Sequence, residues 1–219
     1  MVEYVKMAES LSENALALRG TEQSWKYLKT VGDIKVFTKQ SPNFGGTAYK
    51  FVAEIDAPKD VVYSMMKPPR TTNERLSWDK SVAHYERLET INESIAIGLI
   101  LTHPVMGGMI SAREFVDLYC FKTFDTDPHP DYANISWIFA QSVTHHSRPV
   151  TKSFVRATNY PAGYAIAQKK SNSSQSYLEL FVNTDIGGMI PRYLVESALP
   201  SQQASYIQSI RNEVKRRMQ

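Results

Sequence analysis

Apolar residues recur along this 219-residue chain at two spacings, one typical of helices and one typical of strands. Residues 3 to 18 carry them at three- and four-residue steps, which predicts an amphipathic helix, and Gly20 is a common helix stop. The runs 25 to 29 and 33 to 39 flank a short turn and predict a β-hairpin. Residues 45 to 58 alternate apolar side chains on one face, which predicts a third strand.

The pattern then predicts short helices, repeated strands and one long helix. Pro58 stands where a first helical turn tolerates proline, and a second short helical piece is expected over 71 to 79. The last helix begins at Pro191, and we expect Pro200 to kink it. Turn signals separate six predicted strands, at residues 81–89, 94–102, 110–124, 134–146, 151–160 and 174–185.

This order of elements predicts an α+β fold in which a curved antiparallel sheet wraps around the final helix. The composition, 42% hydrophobic and 21% charged, is that of an ordinary globular protein, so we expect a single domain over 1–219. Strand 94–102 is apolar at both alternating positions, which a half-exposed sheet does not need. A second layer or an enclosed ligand must therefore cover it.

The turn between the strands 94–102 and 110–124 has an unusual tip. A solvent-facing turn favours Asp, Asn or Ser, but this one carries Val105, Met106 and Met109. We expect these three side chains to lie over a cavity mouth or to dock on a membrane. The basic end of the last helix is either a solvated helix end or an electrostatic part of the same docking, through Lys215, Arg216 and Arg217.

Several classes of function lack support in the sequence. A net charge of +3 without a basic stripe does not favour nucleic-acid binding. The single Cys120 forms no intramolecular disulfide and suits a reducing compartment. The five histidines show no metal-binding spacing, and no phosphate loop or nucleophile elbow occurs, so no catalytic residue, metal or cofactor is expected. The N-terminus lacks a secretory signal, which favours the cytoplasm.

Six stretches, taken in their order, resemble the START (StAR-related lipid transfer) domains, particularly the small stand-alone sterol-carrying members. They are WKYLKTVGDIKVFTK, GGTAYKFVAEI, WDKSVAHYERLETI, ISAREFVDLY, FVRATNYPAG and TDIGGMIPRYLVESALP. The resemblance implies a helix-grip fold of about nine strands around the C-terminal helix. It also implies a tunnel for one lipid molecule, gated by the loop 102–110 and that helix, and transient contact with membranes by a monomer.

The resemblance, with the apolar character of such sites, defines the candidate lipid-binding residues. In the cholesterol carriers an acidic and a basic tunnel residue correspond to Ile100 and Tyr119, which are uncharged here. Thr102, Tyr119 and Asn159 are candidate partners for a lipid hydroxyl, and Arg113 is either a ligand contact or a paired structural arginine. The full set is Ile100, Thr102, Met106, Arg113, Phe115, Tyr119, Ala157, Asn159, Val195 and Leu199.

Two alternatives to a sterol carrier remain from the residues. One is a carrier for a phospholipid, a carotenoid or a bile-acid-like ligand. The other is a helix-grip hydrolase or cyclase, since one fold hosts many functions. Its acid or base groups would be Asp117 and Asp185, although each is expected to be paired or exposed.

Overall fold

The structure is a computed structural model that describes residues 2–219. Its α-helices are α1 (Val2–Arg19), α2 (Lys59–Met66), α3 (Thr72–Leu76) and α4 (Arg192–Arg217). Its strands are β1 (Lys26–Val31), β2 (Ile34–Gln40), β3 (Thr47–Ile55), β4 (Val82–Asn92), β5 (Ile95–Thr102), β6 (Arg113–Phe124), β7 (Tyr132–Ser142), β8 (Val155–Arg156), β9 (Thr158–Asn159), β10 (Ala162–Lys169), β11 (Ser176–Val182) and β12 (Thr184–Asp185).

One large sheet dominates the described residues. Nine strands run in the order β1-β2-β3-β11-β10-β7-β6-β5-β4, and β8 pairs in parallel beside β6 while the other neighbours are antiparallel. The pair β9 and β12 forms a separate two-stranded ladder. The predicted α+β fold with an antiparallel sheet of about nine strands and a long C-terminal helix is therefore confirmed.

The two faces of the sheet are covered by different helices. Helix α1 presents its apolar stripe to one face, where Leu11 and Leu18 pack near Leu118, Trp137 and Phe139. Helices α2 and α4 lie on the opposite face. Because successive side chains of a strand point to opposite faces, each strand contributes to both layers.

Strand β5 shows why its residues are apolar at both parities. Ile95, Ile97 and Leu99 are buried in the layer beneath α1, whereas Ile100 and Thr102 line a cavity on the other side. The sequence left open whether a second layer or a ligand space would cover this strand. Both are present, one on each side.

Helix α4 buries a stripe of apolar side chains against the sheet. Tyr206, Ile210 and Val214 are buried, as the spacing predicts. The helix continues through Pro200 without interruption. Its 26 residues span roughly 39 Å at the usual rise. Its cavity-lining residues run from Val195 to Tyr206, and the helix continues for eleven residues beyond Tyr206.

The prediction for residues 143–175 was wrong in part. The predicted strand 151–160 is reduced to the two-residue strands β8 and β9, and the full strand Ala162–Lys169 was missed. Its small residues have low strand propensity, but Ala165 and Ala167 lie beneath α1, where small side chains let the helix approach. Gly163 has φ +143°, and an added Cβ would lie 2.1 Å from the Ile138 carbonyl oxygen. Tertiary packing therefore overrides local propensity here.

Candidate functional site

A cavity of about 560 Å³ lies between the concave face of the sheet and α4. This volume falls in the range of small-molecule sites in proteins. Strands β5, β6, β10 and β11 form one wall, α4 forms the opposite wall, and the loop 103–112 lies at the mouth. The middle of the cavity is mostly apolar, with side chains from Ile100, Phe115, Leu180, Val182, Val195 and Leu199.

Alternate residues of β6 mark depth in this cavity. Arg113 lies at the mouth, and Phe115, Asp117 and Tyr119 follow toward the base, because every second side chain of a strand faces the same side. Helix α4 contributes residues in the same direction, from Val195 at the mouth through Leu199 to Tyr206 at the base. A ligand in this space would therefore meet different chemistry at its two ends.

The loop at the mouth is short and conformationally unusual. A backbone bridge joins Val105 and Ile110, and Gly107 and Gly108 have φ values of +64° and +93°. Met106 adopts φ +53°, a left-handed conformation that costs a non-glycine residue about 1 kcal/mol. Val105 and Met106 line the cavity, whereas Met109 points outward with 59% of its surface exposed. The apolar tip therefore faces the cavity and the solvent at once.

Arg113 fastens this loop to the segment before α4. Its guanidinium is 4% exposed and donates from Nε to the Ile186 carbonyl at 2.7 Å, from Nη1 to the carbonyl and hydroxyl of Ser111, and from Nη2 to the Gly187 carbonyl at 3.3 Å. Within residues 2–219 no carboxylate pairs with it, and burial lowers its pKa. Arg113 lines the cavity, and each of its three guanidinium nitrogens donates to one of the two mouth segments, which it holds together.

A polar group at the base was not anticipated from the sequence. Arg75 and Asp79 form a buried ion pair with 2.6 Å between Nη2 and Oδ2, and the Arg75 Nη2 also lies 3.5 Å from the Tyr206 hydroxyl. Within residues 2–219, the Arg75 Nε has no hydrogen-bond partner. The Arg–Asp spacing of four residues is common on solvated helices, so only the fold reveals that this pair faces the cavity.

Three tyrosines complete the base. Burial raises the pKa of Tyr119, Tyr164 and Tyr206, so that all three hydroxyls are neutral donors over the physiological range. Arg75 of α3 and Asp79, which follows that helix, supply the ion pair of this cavity.

Asp117 forms a second polar position, half-way up the wall. Its two carboxylate oxygens each accept one hydrogen bond at 2.8 Å, from the Ser142 hydroxyl and from the Asn159 side-chain amide. The Thr184 hydroxyl donates in turn to the Asn159 side-chain oxygen at 2.6 Å. Burial raises the pKa of Asp117 to about 6. Asp117 is thus hydrogen-bonded to neutral side chains, and Asp185 is exposed.

All but one of the ten predicted lipid-binding residues line the cavity. The exception is Ala157, which is fully buried and donates its backbone N–H to the Glu114 carbonyl at 2.9 Å. The side-chain amide of Asn159 is already used by Asp117. The sequence therefore predicted residues of the wall and the mouth, whereas of the base it predicted Tyr119 and missed Arg75, Asp79, Tyr164 and Tyr206.

The predicted docking residues are not brought together. Lys215, Arg216 and Arg217 occupy the last turn of α4, roughly 24 Å along the helix from Leu199. Arg216 and Arg217 both bond Glu213, which lowers the pKa of that carboxyl to about 2. The loop and these three basic residues are therefore two separate patches, and their common contact with a membrane stays a prediction.

Other exposed apolar residues adjoin the mouth. Met189 is fully exposed and Tyr193 is 68% exposed, on the segment that Arg113 joins to the loop 103–112. Within residues 2–219, no helix is long and apolar enough to cross a membrane. The same described residues contain no cluster of three His, Cys, Asp or Glu side chains suited to a metal ion.

A curved antiparallel sheet that closes on a C-terminal helix around an apolar cavity defines a class of small-molecule-binding proteins. Residues 5–218 match the family model described as "START domain". The chain belongs to the START domain family.

Related proteins carry names that refer to lipid transfer. The chain is 26% identical over 218 residues to human StAR-related lipid transfer protein 6, which covers 98% of this chain and 93% of that protein. It is 30% identical over 190 residues to human StAR-related lipid transfer protein 4, covering 87% and 86%. The structure of human StAR-related lipid transfer protein 5 superposes with a TM-score of 0.87 at 24% identity, covering 100% and 99%. Family membership supports a lipid-binding and transfer role.

Proposed function

We propose that the protein carries one sterol-like lipid at a time in the cavity and moves it between membranes as a monomer. The observation that carries this proposal is the polarity of the cavity, which has an apolar middle and a polar base. A sterol has one hydroxyl at the end of a rigid apolar body. Its hydroxyl would lie against Tyr119 and the unpartnered Arg75 Nε, and its rings against Ile100, Phe115 and Leu199.

The base favours a neutral polar group over a charged headgroup. Arg75 is already paired with Asp79, whose other carboxylate oxygen accepts bonds from the backbone and hydroxyl of Ser81. A phosphate or carboxylate placed here would add a second buried anion beside Asp79, which is costly in a low dielectric. This argument ranks a sterol-like ligand ahead of a phospholipid or a bile-acid-like one.

The mouth supplies the membrane contact in this proposal. The loop 103–112 and the segment 186–193 open together while Met109, Met189 and Tyr193 enter the bilayer surface. Each buried methionine would contribute on the order of 1.5 to 3 kcal/mol. Lys215, Arg216 and Arg217 would contribute about 1 kcal/mol each only in a second contact with anionic lipid, made by the far end of α4.

Transfer of labelled cholesterol between liposomes tests the proposal. Leu199→Trp fills the cavity from α4 and is expected to abolish binding and transfer. Ser197→Trp places the same side chain on the exposed side of the helix, two residues away, and should transfer at the wild-type rate. A wild-type protein that neither binds sterol nor moves it refutes the sterol assignment.

Lipids that co-purify with the protein provide a second test. Mass spectrometry of an organic extract should find a neutral lipid with a hydroxyl group in the wild-type sample and not in the Leu199→Trp sample. Recovery of a phospholipid or a carotenoid from the wild type alone would replace the sterol as the ligand.

A further inference from the structure

The carboxylate of Asp117 has hydrogen-bonding capacity that its neighbours in the fold do not fill, and this inference rests on the proposed function. An ionised carboxylate offers about four lone-pair sites for hydrogen bonds. Ser142 and Asn159 fill two of them. The remaining sites belong to a side chain that lines the cavity.

Asp117 also lacks a cation to compensate its burial. The nearest contributor is Arg156, whose guanidinium is bonded to Glu114 at 2.7 and 2.9 Å and acts on Asp117 only through space. Burying an ion without a partner is expensive, and further hydrogen bonds to the charged form reduce that cost. Ser142 and Asn159 supply one hydrogen bond to each oxygen and no positive charge. A donor from the cavity is therefore the missing partner.

The position of Asp117 sets where that donor lies on the ligand. Asp117 and Tyr119 are two residues apart on β6 and share a face, which separates them by about 7 Å. Tyr119 belongs to the polar base, so Asp117 is about 7 Å closer to the mouth. A group that meets Asp117 is located on the rigid body of a sterol, one or two rings from the hydroxyl at the base.

We propose that Asp117 accepts a hydrogen bond from a second hydroxyl on the ring system of the ligand, and that the cavity selects ring-dihydroxylated sterols over monohydroxylated ones. The Ser142–Asn159–Thr184 chain holds the carboxylate in the wall with one lone pair of each oxygen free. A sterol with a single hydroxyl leaves the carboxylate without its donor. A hydroxyl at the end of the sterol tail lies near the mouth and does not reach it.

Three ligands separate these cases in equilibrium binding to the full chain: cholesterol, cholesterol hydroxylated at ring carbon 7, and cholesterol hydroxylated at tail carbon 25. Since a hydrogen bond to a charged group contributes 1.5 to 3 kcal/mol, wild type should bind the ring-hydroxylated sterol about tenfold or more tighter than cholesterol. In Asp117→Asn this ratio should fall toward one. The ratio for the tail-hydroxylated sterol should be equal in both proteins.

The wild-type protein provides a test that needs no variant to fold. The ring-hydroxyl preference should be large at pH 7.5 and shrink below pH 6, as Asp117 becomes protonated. Burial raises the pKa of Tyr119 and Tyr164, so both hydroxyls stay neutral over this interval. A change at the mouth that affects all three sterols equally cancels in the ratio.

The outcomes distinguish failure of this inference from failure of the proposed function on which it rests. Tight binding of cholesterol with an equal preference in wild type and Asp117→Asn, unchanged by pH, overturns the role of Asp117 and leaves the sterol carrier intact. A uniform loss of affinity for all three sterols in Asp117→Asn shows a structural role only, and also overturns it. Failure of the wild type to bind any of the three defeats both proposals.

Discussion

The two faces of the sheet are built from the same strands, but one face is filled with packed side chains and the other borders a cavity. The face beneath α1 is filled, with small residues on β10 giving the helix room to approach and aromatic rings such as Trp137 and Phe139 stacked 4.8 Å apart. The face beneath α4 holds a cavity, because that helix meets the sheet mainly through its C-terminal half. One face therefore supplies stability, and the other leaves space for a ligand.

The largest effect should come from truncating a filled position. Leu118→Ala removes a fully buried side chain beneath α1 and is expected to cost about 3 to 4 kcal/mol of unfolding free energy. Leu199→Ala, at the half-buried cavity wall, should cost about 1 kcal/mol. Urea unfolding measures both, and equal costs would contradict the division between the faces.

Ionised Asp117 lowers the free energy of unfolding above pH 6. Its pKa rises from 3.8 unfolded to about 6 folded, so the folded state binds the extra proton and stability falls as pH rises between these values. The full effect is roughly 3 kcal/mol. Asp117→Asn should therefore gain stability relative to wild type at pH 7 and lose that advantage near pH 4. Thermal unfolding at the two pH values measures the difference, and a constant offset would refute the assigned shift.

The hydrogen bonds of Arg113 at the mouth should affect both the free energy of unfolding and the rate of lipid exchange. Arg113→Lys loses the planar fork that reaches Ser111, Ile186 and Gly187, which is expected to cost about 2 kcal/mol and to speed lipid release. Arg211→Lys is the control, because its pairing with Asp33 is at the surface and contributes up to about 1 kcal/mol. Equal lipid release rates in the two variants would show that Arg113 does not hold the mouth.

The smallest effect is expected at two glycines that have similar backbone φ angles. Gly107 at the mouth and Gly32 in the β1–β2 turn have φ values of +64° and +63°, and an added Cβ would meet no atom within 4 Å at either site. Alanine should cost about 1 kcal/mol in both, from the backbone alone. Only Gly107→Ala should alter the rate of lipid exchange. A matching change in Gly32→Ala would mean that exchange follows global stability.

Local sequence patterns predicted the elements that pack one face against a single neighbouring element. The stripe of α1, the hairpin of β1 and β2, and the proline start of α2 each follow from spacing that a single packed face imposes. The mouth was predicted for a similar reason, since apolar residues at a turn tip need a dry surface.

Long-range packing determined what the sequence could not predict. Half of the residues of strand β10 are alanine or glycine, which have low strand propensity, and Ala165 and Ala167 are small because α1 lies over them. The spacing of Arg75 and Asp79 is typical of a solvent-exposed helical ion pair. In the fold, however, both residues are buried and line the cavity base. Asp117 was expected to be paired or exposed; it is buried, and its partners come from strands β7 and β9, 25 and 42 residues further along the chain.

Native mass spectrometry with cholesterol tests the division of the sheet most directly. The account predicts one bound sterol per chain in wild type and in Leu118→Ala, whose defect lies beneath α1, and none in Leu199→Trp, whose cavity is filled. Retention of sterol by Leu199→Trp, or its loss in folded Leu118→Ala, would contradict the claim that the ligand occupies the space between the sheet and α4.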